Sequence, residues 1–337
     1  MLVGIAAVIA AVLSGQGGFY NAIHELALFA SDVPVTAGQE GAFTSFFGPD
    51  PLNLLGVILL TSLGTWGLPQ MVHKFYAIKD EKSINTGTVI STLFAIIIAG
   101  GSYFLGGFGR LFDGPAIYNG QGGIVYDSII PAMLSTLPDI LIGVVVVLVL
   151  SASMSTLSSL VLTSSSTLTL DFLRGTVMKE MSDKTQLFLI RLLIVFFIAL
   201  SVVLALDPPT FIAQLMGISW GALAGAFLAP FFYGLYWKKV TAASVWTCFA
   251  FAIVLTVSNI FLKFIPSSIV AGAIAMLAGL VIVPVVSLLT PKPDEAKVAA
   301  IFSCYEEQVL VPQNRSLVID STKEEHAAEH TASAALS

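Results

Sequence analysis

Long apolar runs separated by short polar connections dominate this chain. The runs cover residues 1–13, 52–72, 87–109, 139–173, 187–206, 211–237, 241–262 and 268–289. A helix needs about 20 mostly apolar residues to cross a bilayer. The pattern therefore predicts an all-α transmembrane protein with seven full spans and one partial span. Residues 1–13 are too few to cross. They lack the positive start of a signal peptide, and they read as the end of a membrane helix that begins upstream. Residues 14–51 and 110–138 read as loops, 171–185 as a polar, basic connection, and Asp207-Pro208-Pro209 as a tight turn. The expected division is a membrane domain over 1–290 and a disordered cytoplasmic tail over 291–337.

Two runs depart from a plain apolar pattern. The span 52–72 contains Gly64, Gly67 and Pro69. Pro69 has no N–H, and in a helix its ring clashes with the carbonyl of Thr65, so this span is expected to break in mid-membrane. The run 139–173 starts apolar and then carries Ser151, Ser153, Ser155, Thr156, Ser158 and Ser159, with no charge between Asp139 and Asp171. Hydroxyls facing hydrocarbon are costly, so the stripe must meet protein, water or a ligand.

Composition agrees with the membrane assignment. Hydrophobic residues make up 56% and charged ones 11%, against roughly 25% charged in soluble domains. The net charge of −6 gives no reason to expect nucleic acid. Cys248 and Cys304 match no disulfide framework and no metal spacing. Alternate connections carry Lys74, Lys79, Lys82, Arg174, Lys179, Lys184, Arg191, Lys238 and Lys239, and the other set only Arg110 and Lys263. Basic loops stay cytoplasmic, which places the C-terminus in the cytoplasm of a multi-pass protein of the cell membrane.

Three oxygens can converge on the striped helix: the Ala152 carbonyl, the Ser155 hydroxyl and the Thr156 hydroxyl. Positions i and i+4 share a face, and hard cations prefer oxygen ligands. The competing reading is that these hydroxyls bond their own i−4 carbonyls or pack against a neighbour. No Asp, Glu, Lys or Arg sits at the centre of a span. A proton relay needs such a group, so neutral oxygens binding Na⁺ fit better. Around the break, Thr61, Thr65, Trp66 and Pro69 are candidates for a solute site, since discontinuous helices mark such sites in transporters. A simple proline kink is the alternative. Gly217, Gly221 and Gly225 read as a helix-packing seam. His73 reads as a solvated residue, as do His326 and His330. No phosphate loop and no nucleophile–base pair is present, so no enzyme activity is expected.

The stretches 151–159 and 164–172 resemble the signature helix of sodium:solute symporters. That family includes carriers of proline, pantothenate and glucose. Residues 64–70 through Lys74-Phe75 resemble its broken helix, and Trp220-Gly221-Ala222 through Pro230 and Trp237-Lys238-Lys239 its late span. The resemblance implies the LeuT-type fold, which is itself the standard example of inverted repeats. Residues up to Pro230 would correspond to the second inverted repeat, followed by two extra helices. It further implies Ala152, Ser155 and Thr156 as Na⁺ ligands, completed by a missing N-terminal repeat. The implied function is Na⁺-coupled symport of a small organic solute, with Na⁺, the solute and the lipid bilayer as partners. The proline carriers have Trp and Tyr at the positions of Thr61 and Thr65, so the threonines here argue for a different or more polar solute. The other readings are a symporter-like membrane sensor or interaction module, and a truncated carrier without function.

Overall fold

The computed structural model describes residues 2–71, 78, 81–112, 114–118, 124–178 and 180–305. Among them, every long element is a helix: α1 Leu2–Gly15, α2 Phe19–Leu28, α3 Pro51–Gly67, α4 Glu81–Gly107, α5 Tyr126–Leu134, α6 Asp139–Thr167, α7 Asp183–Leu206, α8 Ile212–Tyr236, α9 Ala242–Leu262, α10 Ser268–Leu289 and α11 Glu295–Phe302. Six of these are long and apolar enough to cross a membrane, and a seventh crossing arises if the bent pair Gly4–Gly15 and Phe19–Leu28 counts as one. The chain is an all-α, multi-pass membrane protein. It divides into a unit Met1–Pro291 and a unit Lys292–Ser337. His73, Lys74, Phe75, His326 and His330 lie outside the described residues.

Helix starts follow local chemistry. The Asp50 carboxylate accepts from the Asn53 N–H at 3.0 Å, with Pro51 at the first helical position. The Ser182 and Thr241 hydroxyls cap α7 and α9 in the same way. Two helices have no cap of their own and borrow one from elsewhere. The first N–H of α8, at Ile212, donates to the Asp127 carboxylate of α5. The first N–H of α10, at Ser268, donates to the Gln214 side chain of α8 at 2.8 Å. Each of these bonds satisfies a donor that the helix itself leaves open.

The tightest packing joins α8, α9 and α10, with α3 laid against α8 and α10. Small residues permit it. A Cβ on Gly221 would stand 2.5 Å from the Gly272 Cα, and one on Gly217 2.7 Å from the Ile269 nitrogen. The expected seam Gly217–Gly221–Gly225 is therefore real and faces α10. Leu60, Ala224, Leu228, Ile269 and Met276 form the core where α3 joins. At the other end of the seam, buried hydroxyls hold α9 to α10. Ser287 donates to Ser244 at 2.8 Å, and Thr241 and Thr290 share a bond of 2.7 Å. A second group centres on α1, which packs on α4 and α6, while α7 packs on α6. Its core is Val8, Val12, Leu105, Met133 and Leu137.

Four boundaries differ from the expectation. Residues 14–51 hold the ten-residue helix α2. Gly17 and Gly18 take positive φ (75° and 101°) and turn the chain by 64° between α1 and α2; Ala22 and Leu26, one turn apart, are then buried. Residues 110–138 hold α5, which buries Met133 despite Pro131 inside it. The striped helix runs on as a π-helix over Leu168–Val177, into the stretch expected to be a polar connection. The span expected over 52–72 is the 17-residue α3, which stops at Gly67.

Candidate functional site

The break in α3 is where its residues require it. Leu68 is extended, with φ −82° and ψ 118°, and helical backbone resumes at Pro69. A residue before proline is pushed out of the α region, while proline suits the first position of a new helix. Pro69 offers no N–H to the Thr65 carbonyl. The break is held against α8: a Cβ on Gly67 would lie 2.8 Å from both the Ala224 Cα and the Leu228 Cβ. One turn earlier, the Trp220 ring and the Met276 sulfur cover Gly64 at 3.4 and 3.8 Å.

The four residues expected near the break occupy its surroundings. The Thr61 hydroxyl donates to the Val57 carbonyl at 2.8 Å, and that of Thr65 to the Ser62 carbonyl at 3.2 Å. Each hydroxyl oxygen keeps its acceptor lone pairs. Trp66 is 64% exposed and Pro69 half-buried. Trp220 belongs to the family-like motif at 220–230, which gives it no role of its own. No spacing within α8 signals its contact with Gly64, which depends on how α3 meets α8.

On α6, the Thr156 hydroxyl donates to the Ala152 carbonyl at 3.1 Å. Ser158 bonds Met154, Thr163 bonds Ser159 and Ser165 bonds Val161 in the same i−4 manner, at 2.7 to 2.8 Å. This is the local bonding that the competing reading describes. The Ala152 carbonyl also accepts the intrahelical N–H of Thr156, so both of its lone pairs are engaged, whereas the Thr156 oxygen keeps acceptor capacity. Ala152 is half-buried, and Ser155 and Thr156 are exposed. No residue in the most apolar stretch of α6 is buried. Further along, Ser165 and Thr169 are fully buried, and the Thr169 hydroxyl has no hydrogen-bond partner among the described residues. The structure thus gathers Ala152, Ser155 and Thr156 on one helix and Thr61 to Pro69 at one break. Among the described residues no hydrogen bond joins the two sets.

The sequence model of the sodium:solute symporter family matches residues 1–249. The chain belongs to the sodium:solute symporter family. A sodium/pantothenate symporter of Haemophilus influenzae is 28% identical over 244 residues, covering 72% of this chain and 48% of the relative. A sodium/pantothenate symporter of Escherichia coli is 26% identical over 287 residues, covering 83% and 57%. A sodium/proline symporter of Haemophilus influenzae is 28% identical over 267 residues, covering 75% and 51%. The chain spans about half the length of these curated relatives. The family consists of symporters rather than enzymes. The hydroxyl-rich helix α6 carries no charged residue from 140 to 170.

Proposed function

We propose that this chain supplies half of a carrier that moves a small organic solute together with Na⁺ by alternating access, in a LeuT-type arrangement. The observation carrying this reading is the uncharged oxygen set of α6. Neutral ligands suit a monovalent ion that must be released in every cycle, and no carboxylate accompanies them. The Ala152 carbonyl and the Ser155 and Thr156 hydroxyls would ligate Na⁺ from one side. The first helix of a preceding repeat would supply the rest. The exposed stripe supports this, because its hydroxyls cannot be left to lipid.

The solute would sit at the α3 break, against the freed backbone, Thr61, Thr65, Trp66 and Pro69. Proline and pantothenate, named for the relatives, are both small carboxylic acids. The threonines favour the more polar of such solutes. The bias of Lys and Arg toward alternate connections supports a cytoplasmic C-terminus, and the membrane domain would then cover 1–290 and a cytoplasmic tail 291–337. Na⁺ binding would favour the substrate-receptive state, and the coupling between ion and solute is reciprocal.

The test is uptake of a solute panel into proteoliposomes holding this chain together with a preceding repeat. A solute should accumulate under an inward Na⁺ gradient and not under a K⁺ gradient of equal size. Equal uptake of every solute under both gradients would overturn the reading.

A further inference from the structure

Arg110 sits just after α4 and ties three segments together. Its guanidinium donates to the Asp32 carboxylate at 2.8 Å, with the arginine side chain only 14% exposed. The same group lies over the Phe43 ring at 5.2 Å and over the Tyr126 ring at 5.9 Å. Cations are held over aromatic faces at such distances. Asp32 and Phe43 belong to the connection between α2 and α3, and Tyr126 opens α5. A Cβ on the adjoining Gly109 would stand 2.7 Å from the Ile129 side chain, so α5 lies directly on this corner.

The chain of contacts continues to α8. Tyr126 packs on Phe211 with ring centroids 5.1 Å apart. Its neighbour Asp127 accepts from the Ile212 N–H with both oxygens, at 3.1 and 3.3 Å. Phe211 itself offers no side-chain cap. A carboxylate at a helix N-terminus is favourable because the open N–H groups carry partial positive charge. α8 is also the helix against which the α3 break is packed.

We propose that Asp32, Arg110, Tyr126 and Asp127 form a single latch that fastens the α2–α3 connection and α5 to the start of α8, and that opening it at Asp32 frees the start of α8. The latch rests on polar and cation–π contacts, with the Asp32 side chain 39% exposed. Contacts of this kind open locally at lower cost than the close-packed seam of α8, α9 and α10. It stands apart from the ion and solute reading, because none of its residues belongs to either set.

The test is hydrogen–deuterium exchange of the full chain in lipid nanodiscs, followed in peptides from the first turn of α8 and from the middle of α10. Asp127→Ala removes the cap and should raise exchange at the start of α8 by about tenfold, as expected for one lost charge-assisted hydrogen bond. Asp32→Asn touches nothing in α8, yet it should raise exchange there by a comparable factor. The double variant should exceed neither single one by much, and the exchanged pair Asp32→Arg with Arg110→Asp should restore protection. Exchange at the start of α8 unchanged in Asp32→Asn would overturn the latch and leave independent surface contacts. An equal rise in the α10 peptides would also overturn it, since that is global destabilisation.

Discussion

Thr61 and Thr65 occupy the last two turns of α3 before the chain breaks, and both hydroxyls donate to carbonyls of their own helix. Their oxygens remain available as acceptors, and neither side chain fills the space that an aromatic ring would. The resemblance to the proline carriers implies Trp and Tyr at these positions in those carriers. Thr61→Trp together with Thr65→Tyr should therefore shift solute preference toward proline, seen as stronger competition by proline against the native solute in uptake. Unchanged competition would remove these residues from the solute site. The sequence exposes such residues well where chemistry is local. The i, i+4 relation of Ala152 and Thr156 was legible from spacing, and the 3.1 Å bond follows from it. Trp220 was not legible as a neighbour of Gly64. Its contact depends on how α3 meets α8, and spacing within one helix says nothing of that.

At the scale of elements, glycine and proline were the readable marks. Pro69 located the end of α3, and Gly217, Gly221 and Gly225 located the seam. A Cβ on Gly221 would be 2.5 Å from backbone in α10, so Gly221→Val must push the helices apart. Overpacking of this kind costs about 1–3 kcal/mol. The unfolding midpoint in detergent should fall, whereas Gly234→Ala, at a position with open space around it, should leave it in place. An unchanged midpoint in Gly221→Val would contradict the close approach. α2 and α5 escaped the sequence reading for a shared reason. Both are about one half of a membrane crossing in length, ten and nine residues. Each lies in a stretch whose acidic and glycine residues suggest a loop, and each is held by contacts distant in sequence. Leu26 is buried with Phe108, and Met133 with Val8 and Val12. The π-helix after Thr167 was missed because its polar residues suggest solvent, although Thr169 within it is fully buried.

Across the whole molecule, two packed groups share one polypeptide. The seam group of α3, α8, α9 and α10 is close-packed through small residues. The group around α1, α4, α6 and α7 leaves most of α6 and α7 uncovered. Hydrocarbon suits the valines and leucines of that open side but not its run of hydroxyls. The chain spans about half the length of its curated relatives, and in the carrier proposed above further helices would cover this open face. In that carrier Ala152, Ser155 and Thr156 would complete a Na⁺ site. The most direct measurement is the Na⁺ concentration giving half-maximal uptake, taken for Ser155→Ala and Thr156→Ala in proteoliposomes where this chain works beside a preceding repeat. Each loss of a hydroxyl should raise that concentration by about tenfold, equivalent to ~1.4 kcal/mol of binding. A Na⁺ dependence identical to the unsubstituted protein in both variants would contradict the account.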